Sequence, residues 1–178
     1  MSNGRINTHT LPEGGFTLLE LLITLMLVGI IAAWGLPNFQ ALGERTAQTS
    51  EVNRLQSTFS LARNTAISQR RQITLCPADE ERRACASEWS GALMIVKGDQ
   101  TDNVKADDIL RIMPAEQGTQ VTYSRGWSRI RYSPLGYTSG YNGSFKVCSG
   151  NSRHASQGKK LVLSQLGRLR IDEAPIDC

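Results

Sequence analysis

Residues 14–34 read Gly14-Gly15-Phe16-Thr17-Leu18-Leu19-Glu20-Leu21-Leu22-Ile23-Thr24-Leu25-Met26-Leu27-Val28-Gly29-Ile30-Ile31-Ala32-Ala33-Trp34, and the rest of the chain is read outward from them. From Phe16 to Gly35 the single charged residue is Glu20. A helix of about twenty residues at ~1.5 Å rise spans ~30 Å, the thickness of a bilayer's hydrocarbon core. Inserting a carboxylate into such a run costs about 3 kcal/mol, so Glu20 needs a function and a partner of opposite charge. A secretory signal does not fit, because its small-residue cleavage site follows the apolar core, and Gly14-Gly15 precede this one. A plain membrane anchor gives Glu20 no rationale.

On the N-terminal side, Met1 to Gly15 is polar and weakly basic, with Arg5 and His9 set against Glu13, and has no core to join. On the C-terminal side, Gly35-Leu36-Pro37-Asn38 predicts a break or kink, since proline removes a helical donor. A helix resumes from Phe39 to about Arg71. Val52, Leu55, Phe59, Ala62 and Ala66 recur at helical spacing, with Arg45, Arg54, Arg63 and Arg70 mostly off that stripe. The stripe predicts packing on a globular domain. Eight short strands follow, over residues 72–76, 89–97, 109–113, 119–124, 129–133, 144–148, 160–164 and 168–171, separated by Gly- and Pro-rich turns. Asp172 to Cys178 reads as an acidic tail held by its cysteine.

The net charge of +4 is unevenly spread. Residues 72–123 hold nine acidic and five basic side chains, whereas 124–171 hold nine basic and no acidic ones. Such one-sidedness points to an anionic partner or to a solvated basic face. Trp127, Tyr132, Tyr137 and Tyr141 lie among Arg125, Arg129 and Arg131, the mixture of cations and stacking rings that nucleic acid would use.

Four cysteines fit an oxidising compartment and allow three pairings. Cys76–Cys85 and Cys148–Cys178 are preferred because each closes a local loop, with stabilisation of ~3 and ~4 kcal/mol. Zinc is the rival, disfavoured by wide spacings and the lack of C-x-x-C, so no metal is expected. His154 beside Ser152 and Ser156 reads as a polar loop, Asp107-Asp108 as turn residues, and no phosphate-binding loop is present. An enzyme and a cofactor are not expected.

Gly15-Phe16-Thr17-Leu18-Leu19-Glu20 resembles the processing site of type IV pilins and type II secretion pseudopilins, and Pro37 matches a proline common in their helices. The resemblance implies that a prepilin peptidase cuts between Gly15 and Phe16 and methylates the new N-terminal phenylalanine. It also implies that a Phe16 amine, from the same or a neighbouring subunit, is the counter-ion of Glu20. Leu75-Cys76-Pro77, Cys85, Trp89 with Gly91, Ile109-Leu110-Arg111, Leu161-Val162-Leu163-Ser164 and Gly167-Arg168-Leu169-Arg170 resemble the GspH/FimT group of minor pilins and pseudopilins. That group implies an α+β fold, a long N-terminal helix packed on two antiparallel β-sheets. The implied divisions are a leader at 1–15, a transmembrane or filament-core helix at 16–36, its amphipathic continuation at 37–71 and a β-rich domain at 72–178.

The implied function is that of a minor pilin that assembles into or primes a pilus. Its partners would be other pilins, the peptidase and the bacterial inner membrane, with the domain periplasmic before assembly. The Gly-Arg-x-Arg element matches the one through which FimT-type pilins bind DNA during natural transformation. Alternation along a strand puts Arg168 and Arg170 on one face. Lys159, Lys160, Arg153, Arg129 and Arg131 are expected to join them at the phosphates. The alternatives are a GspH-like pseudopilin of a type II secretion system, or a purely structural pilin that binds no DNA.

Overall fold

A computed structural model describes residues 15–150 and 157–178 of the chain. The expected leader up to residue 14, Arg153 and His154 lie outside the described residues. Two compact units divide between Ala41 and Leu42. The one α-helix among the described residues, α1 (Leu18–Ser68), begins in the first unit and ends in the second. It continues through Gly35-Leu36-Pro37-Asn38, where the sequence predicts a break or kink, so the helix is not broken there. A proline costs a helix interior about 3 kcal/mol, and here the hydrogen-bonded turns on both sides outweigh that local loss. At its C-terminus Arg71 N–H donates to Ala66 O (3.2 Å) and Arg70 N–H to Ile67 O (3.3 Å), with Arg70 at φ 50°. This is a Schellman cap in which an arginine occupies the left-handed position that glycine usually takes.

Among the described residues eight strands follow: β1 (Ile73–Pro77), β2 (Leu93–Lys97), β3 (Ile109–Met113), β4 (Thr119–Tyr123), β5 (Ile130–Tyr132), β6 (Gly143–Ser149), β7 (Gln157–Leu163) and β8 (Leu169–Asp177). They form two four-stranded sheets of order β3-β2-β1-β5 and β4-β6-β7-β8. All neighbouring pairs are antiparallel, and the fold is α+β as expected. The helical stripe is buried in full: Val52, Leu55, Phe59, Ala62 and Ala66 are each at most 2% exposed. They share one core with Leu75, Ile95, Tyr132, Phe145 and Leu161 from the two sheets. Phe145 lies at its middle, with ring centroids 4.4 Å from Tyr123, 5.1 Å from Trp89 and 5.2 Å from Phe59. Each such side chain contributes roughly 1.5–3 kcal/mol by leaving water. Strand β1 is buried at every position because its other face meets a second small core of Cys76, Met94, Val96 and Val104.

Three further features depart from what the sequence alone predicts. Trp89 lies before β2 rather than in it, buried in the core with its indole N–H donating to Trp127 O (2.9 Å). Arg54, expected off the packed face, is 8% exposed, and its guanidinium forks onto the fully buried Glu51 at 2.7 and 2.8 Å. Its Nη1 also donates to Gly91 O (3.2 Å) and Pro114 O (3.1 Å), which ties α1 to two loops. The acidic tail is strand β8 and not a loose end. It takes an edge of its sheet, where charges and a proline are tolerated.

Both preferred disulfides are present, Cys76–Cys85 and Cys148–Cys178, so no cysteine is free to hold zinc. The second reaches from β6 to the residue after β8, across β7 between them. Gly158 of β7 lies beneath it: a Cβ there would collide with the Cys178 sulfur and stand 2.9 Å from Val147 O.

Candidate functional site

The N-terminal candidates are organised by a helix start. Glu20 N–H donates to Thr17 Oγ1 (3.2 Å), and Leu21 N–H to Thr17 O (3.1 Å). Thr17 is therefore the N-cap of α1 and Glu20 its third helical residue, the Thr-x-x-Glu spacing of a capping box. The sequence reading missed the Thr17 cap, to which Glu20 contributes its backbone N–H, although the spacing was legible. A carboxylate in the first turn also faces the positive end of the helix macrodipole. Gly15 and Phe16 precede the cap in non-helical backbone, and Phe16 is 86% exposed. The apolar side chains that follow are exposed all round the helix, among them Leu18, Leu22, Leu25, Val28 and Ile31. Among the described residues no helix is long and apolar enough to cross a membrane.

The basic candidates are distributed over both sheets. Arg168 and Arg170 are exposed on the outer face of the β4-β6-β7-β8 sheet. A tight turn puts them there. Gly167 N–H donates to Ser164 O and Ser164 N–H to Arg168 O, both at 3.0 Å, with Gly167 at φ 75°. No other residue fits at Gly167, since a Cβ would run into Gly136 O and Tyr132. The loop carrying Gly136 is fixed in turn, Thr138 donating its N–H to Gln165 O and its hydroxyl to Ser164 O, each 2.9 Å. Leu163 and Leu169 pair across the strands toward the core, so Arg170 beside Val162 faces out.

Lys160 pairs with Asp172 and Lys146 with Lys160, which extends the same outer face. Lys160 is held by an ion pair to Asp172 (2.9 Å), and that hydrogen bond keeps the Asp172 carboxyl below its ordinary range. Lys159 alternates to the opposite face and reaches Thr49 of α1 (Nζ–Oγ1 3.4 Å). Arg129 and Arg131 lie in and beside β5, in the other sheet, and Arg131 is paired with Asp99. The structure thus brings together Arg168, Arg170, Lys146 and a partly neutralised Lys160. It does not add Lys159, Arg129 or Arg131 to them. Sequence reasoning passed over Asp172 because it counted charge along the chain, whereas cross-strand register decides which charges meet.

The expected stacking rings divide in the same way. Tyr132 is fully buried, and burial pushes its hydroxyl above the usual tyrosine range. Tyr141 packs edge-on against Trp127 at 6.0 Å. Trp127 and Tyr137, 48% and 43% exposed, keep substantial ring surface in solvent.

Residues 51–167 match the family model described as type II transport protein GspH, and residues 12–36 match the prokaryotic N-terminal methylation motif. No curated protein matches the sequence. In fold the chain is similar to the type IV minor pilin FimU of Pseudomonas aeruginosa strain PAO1. In one crystal form the TM-score is 0.61 at 20% identity, over 76% of this chain and 96% of that one. In a second form it is 0.59 at 19% identity, over 72% and 96%. The minor pseudopilin EpsH from the type 2 secretion system of Vibrio cholerae gives 0.44 at 13% identity, over 71% of this chain and 93% of that one. With a capped apolar helix start, a stripe packed on two antiparallel sheets and a family match over most of its length, the chain belongs to the GspH family of minor pilins and pseudopilins, as a structural subunit and not an enzyme.

Proposed function

We propose that the chain is cut between Gly15 and Phe16, methylated at Phe16, held in the bacterial inner membrane by residues 16–36 with the domain of 72–178 periplasmic, and then inserted among other pilins in a pilus. One observation carries this reading. The start of α1 is apolar all round and exposed all round, which only lipid or neighbouring helices can cover. Cutting after Gly15 would free an amine one residue before the Thr17 cap, close to Glu20. In a bundle of such helices, amine and carboxylate would compensate each other. Co-expression with a prepilin peptidase and intact-mass measurement tests the cut; a chain that keeps Gly15 sinks it. Two variants then separate the roles of Glu20. Glu20→Gln keeps the Thr-x-x-Gln spacing of a capping box and loses the charge, whereas Glu20→Val loses both. Loss of filament incorporation in both assigns the charge, and normal incorporation of Glu20→Gln reduces Glu20 to a cap.

DNA binding is the second reading, supported by Arg168 and Arg170 exposed beside Lys146 on one sheet face. Contacts limited to phosphate would be sequence-independent, with a log–log salt slope of about −0.9 per phosphate. Changing both arginines to glutamine should make that slope shallower by about 2 units without altering the melting temperature. If the full chain in mild detergent shifts no duplex at ~50 mM salt, where phosphate contacts are strongest, the purely structural reading stands.

A further inference from the structure

A cavity of about 700 Å³ opens on the far side of the β3-β2-β1-β5 sheet, away from the basic face described above. Its floor is apolar, formed by Val104, Ile109 and Ile112. Among the described residues its rim holds Arg82, Arg83 and Lys105 and one acid, Glu81. Glu80, Asp102 and Asp107 flank the lining residues in sequence without being part of the lining, and two further carboxylates nearby, Asp79 and Asp108, are occupied. Asp79 Oδ1 accepts from the N–H groups of Arg83 (2.7 Å) and Ala84 (3.0 Å), and Asp108 accepts from Gln100 (3.0 Å).

The walls are preorganised. Cys76–Cys85 closes the loop that carries Arg82 and Arg83, and Ala78 bridges Cys85 within it. Cys85 N–H donates to Thr101 O and Val104 N–H to Arg83 O, both 2.7 Å, which straps the second loop onto the first. Among the described residues three non-glycines have positive φ, and two of them, Arg82 (60°) and Asn103 (50°), line this cavity. Backbone held in such a region costs on the order of 1 kcal/mol per residue and collects at sites that bind. Beside the cavity runs β3, an edge strand that among the described residues pairs only with β2.

We infer that this cavity and the β3 edge together bind an extended segment of a partner protein, added as a strand to β3, with an apolar side chain entering the floor between two carboxylates that meet Arg82, Arg83 and Lys105. Strand addition supplies affinity through the main chain, and pockets for alternate side chains supply specificity. The apolar floor and open edge favour a peptide over a nucleic acid, whose phosphates would gain nothing from Val104, Ile109 and Ile112. This site is independent of the DNA reading, which uses the other sheet.

The test uses the isotope-labelled full chain in nonionic detergent and a capped Glu-Thr-Val-Thr-Glu peptide, whose acids and valine share one face when extended. Its addition should shift the amide resonances of Ile109–Met113 and of the 79–85 loop. Charge reversal at Arg82→Glu with Lys105→Glu should weaken binding about tenfold or more. Arg82→Gly removes one charge at a position glycine accepts without strain, so its weaker binding, about threefold, is not a folding defect. The Lys-Thr-Val-Thr-Lys peptide and a peptide N-methylated at alternate amides should not bind. Equal binding of either control, shifts centred on Arg168 and Arg170, or a DNA duplex occupying the same loops would each overturn the proposal.

Discussion

Arg54→Leu should be among the most damaging single substitutions in the domain. Glu51 is fully buried and Arg54 8% exposed, and the pair is joined by two hydrogen bonds of 2.7 and 2.8 Å. Removing the guanidinium strands a carboxylate in the interior and leaves Gly91 O and Pro114 O without their donor. Breaking such a pair from one side costs about 3–5 kcal/mol. For a domain of this size, about 3 °C per kcal/mol converts that to a fall of roughly 9–15 °C in melting temperature. The double variant Glu51→Leu with Arg54→Leu removes the stranded charge and should recover most of the loss, since apolar pairs often replace buried ion pairs at little cost. Near-ultraviolet circular dichroism reports on Trp89 in the ring cluster, so melting followed there reads the domain core. A fall of less than about 3 °C for Arg54→Leu, or a double variant no better than the single, would refute the reasoning.

Three further outcomes are expected. Asp172→Asn releases Lys160 and should steepen the salt slope of DNA binding by about 0.9, read by titration at several salt concentrations. Because Asp172 titrates below its unfolded value, its ion pair is intact at neutral pH and is lost as pH falls through the folded pKa, so wild type should approach the variant only in acid. Arg70→Gly relieves a left-handed residue at the end of α1 and should raise stability by about 0.5 kcal/mol in urea unfolding. Gly158→Ala places a methyl group against the Cys178 sulfur and should leave two alkylatable thiols, counted by mass after treatment with iodoacetamide; a fully oxidised Gly158→Ala chain would show that β7 can move aside.

The sequence made the helix stripe and all eight strands legible because their signals are local. Val52, Leu55, Phe59, Ala62 and Ala66 repeat at 3.6, and the strands are short apolar or alternating runs bounded by turn residues. What it hid depends on contacts between distant residues. Arg54 looks solvent-facing until Gly91 and Pro114 bring it acceptors. Asp172 looks like part of a tail until β7 pairs with it and sets it opposite Lys160. For the same reason the basic run split, since Arg131 and Arg170 fall in one charge count along the chain but belong to different sheets. The Thr17 cap was within reach of sequence alone and was obscured by the apolar run it begins.

The bridge between Cys148 and Cys178 has a consequence for how finished molecules are told from unfinished ones. Cys148 waits on β6 while β7 and β8 are laid beside it, and its partner arrives only after β8. The bridge therefore requires a chain that extends through the whole of β8. A chain truncated anywhere in β8 carries the same fault, a single unclaimed thiol on β6, open to an oxidoreductase or a mixed disulfide.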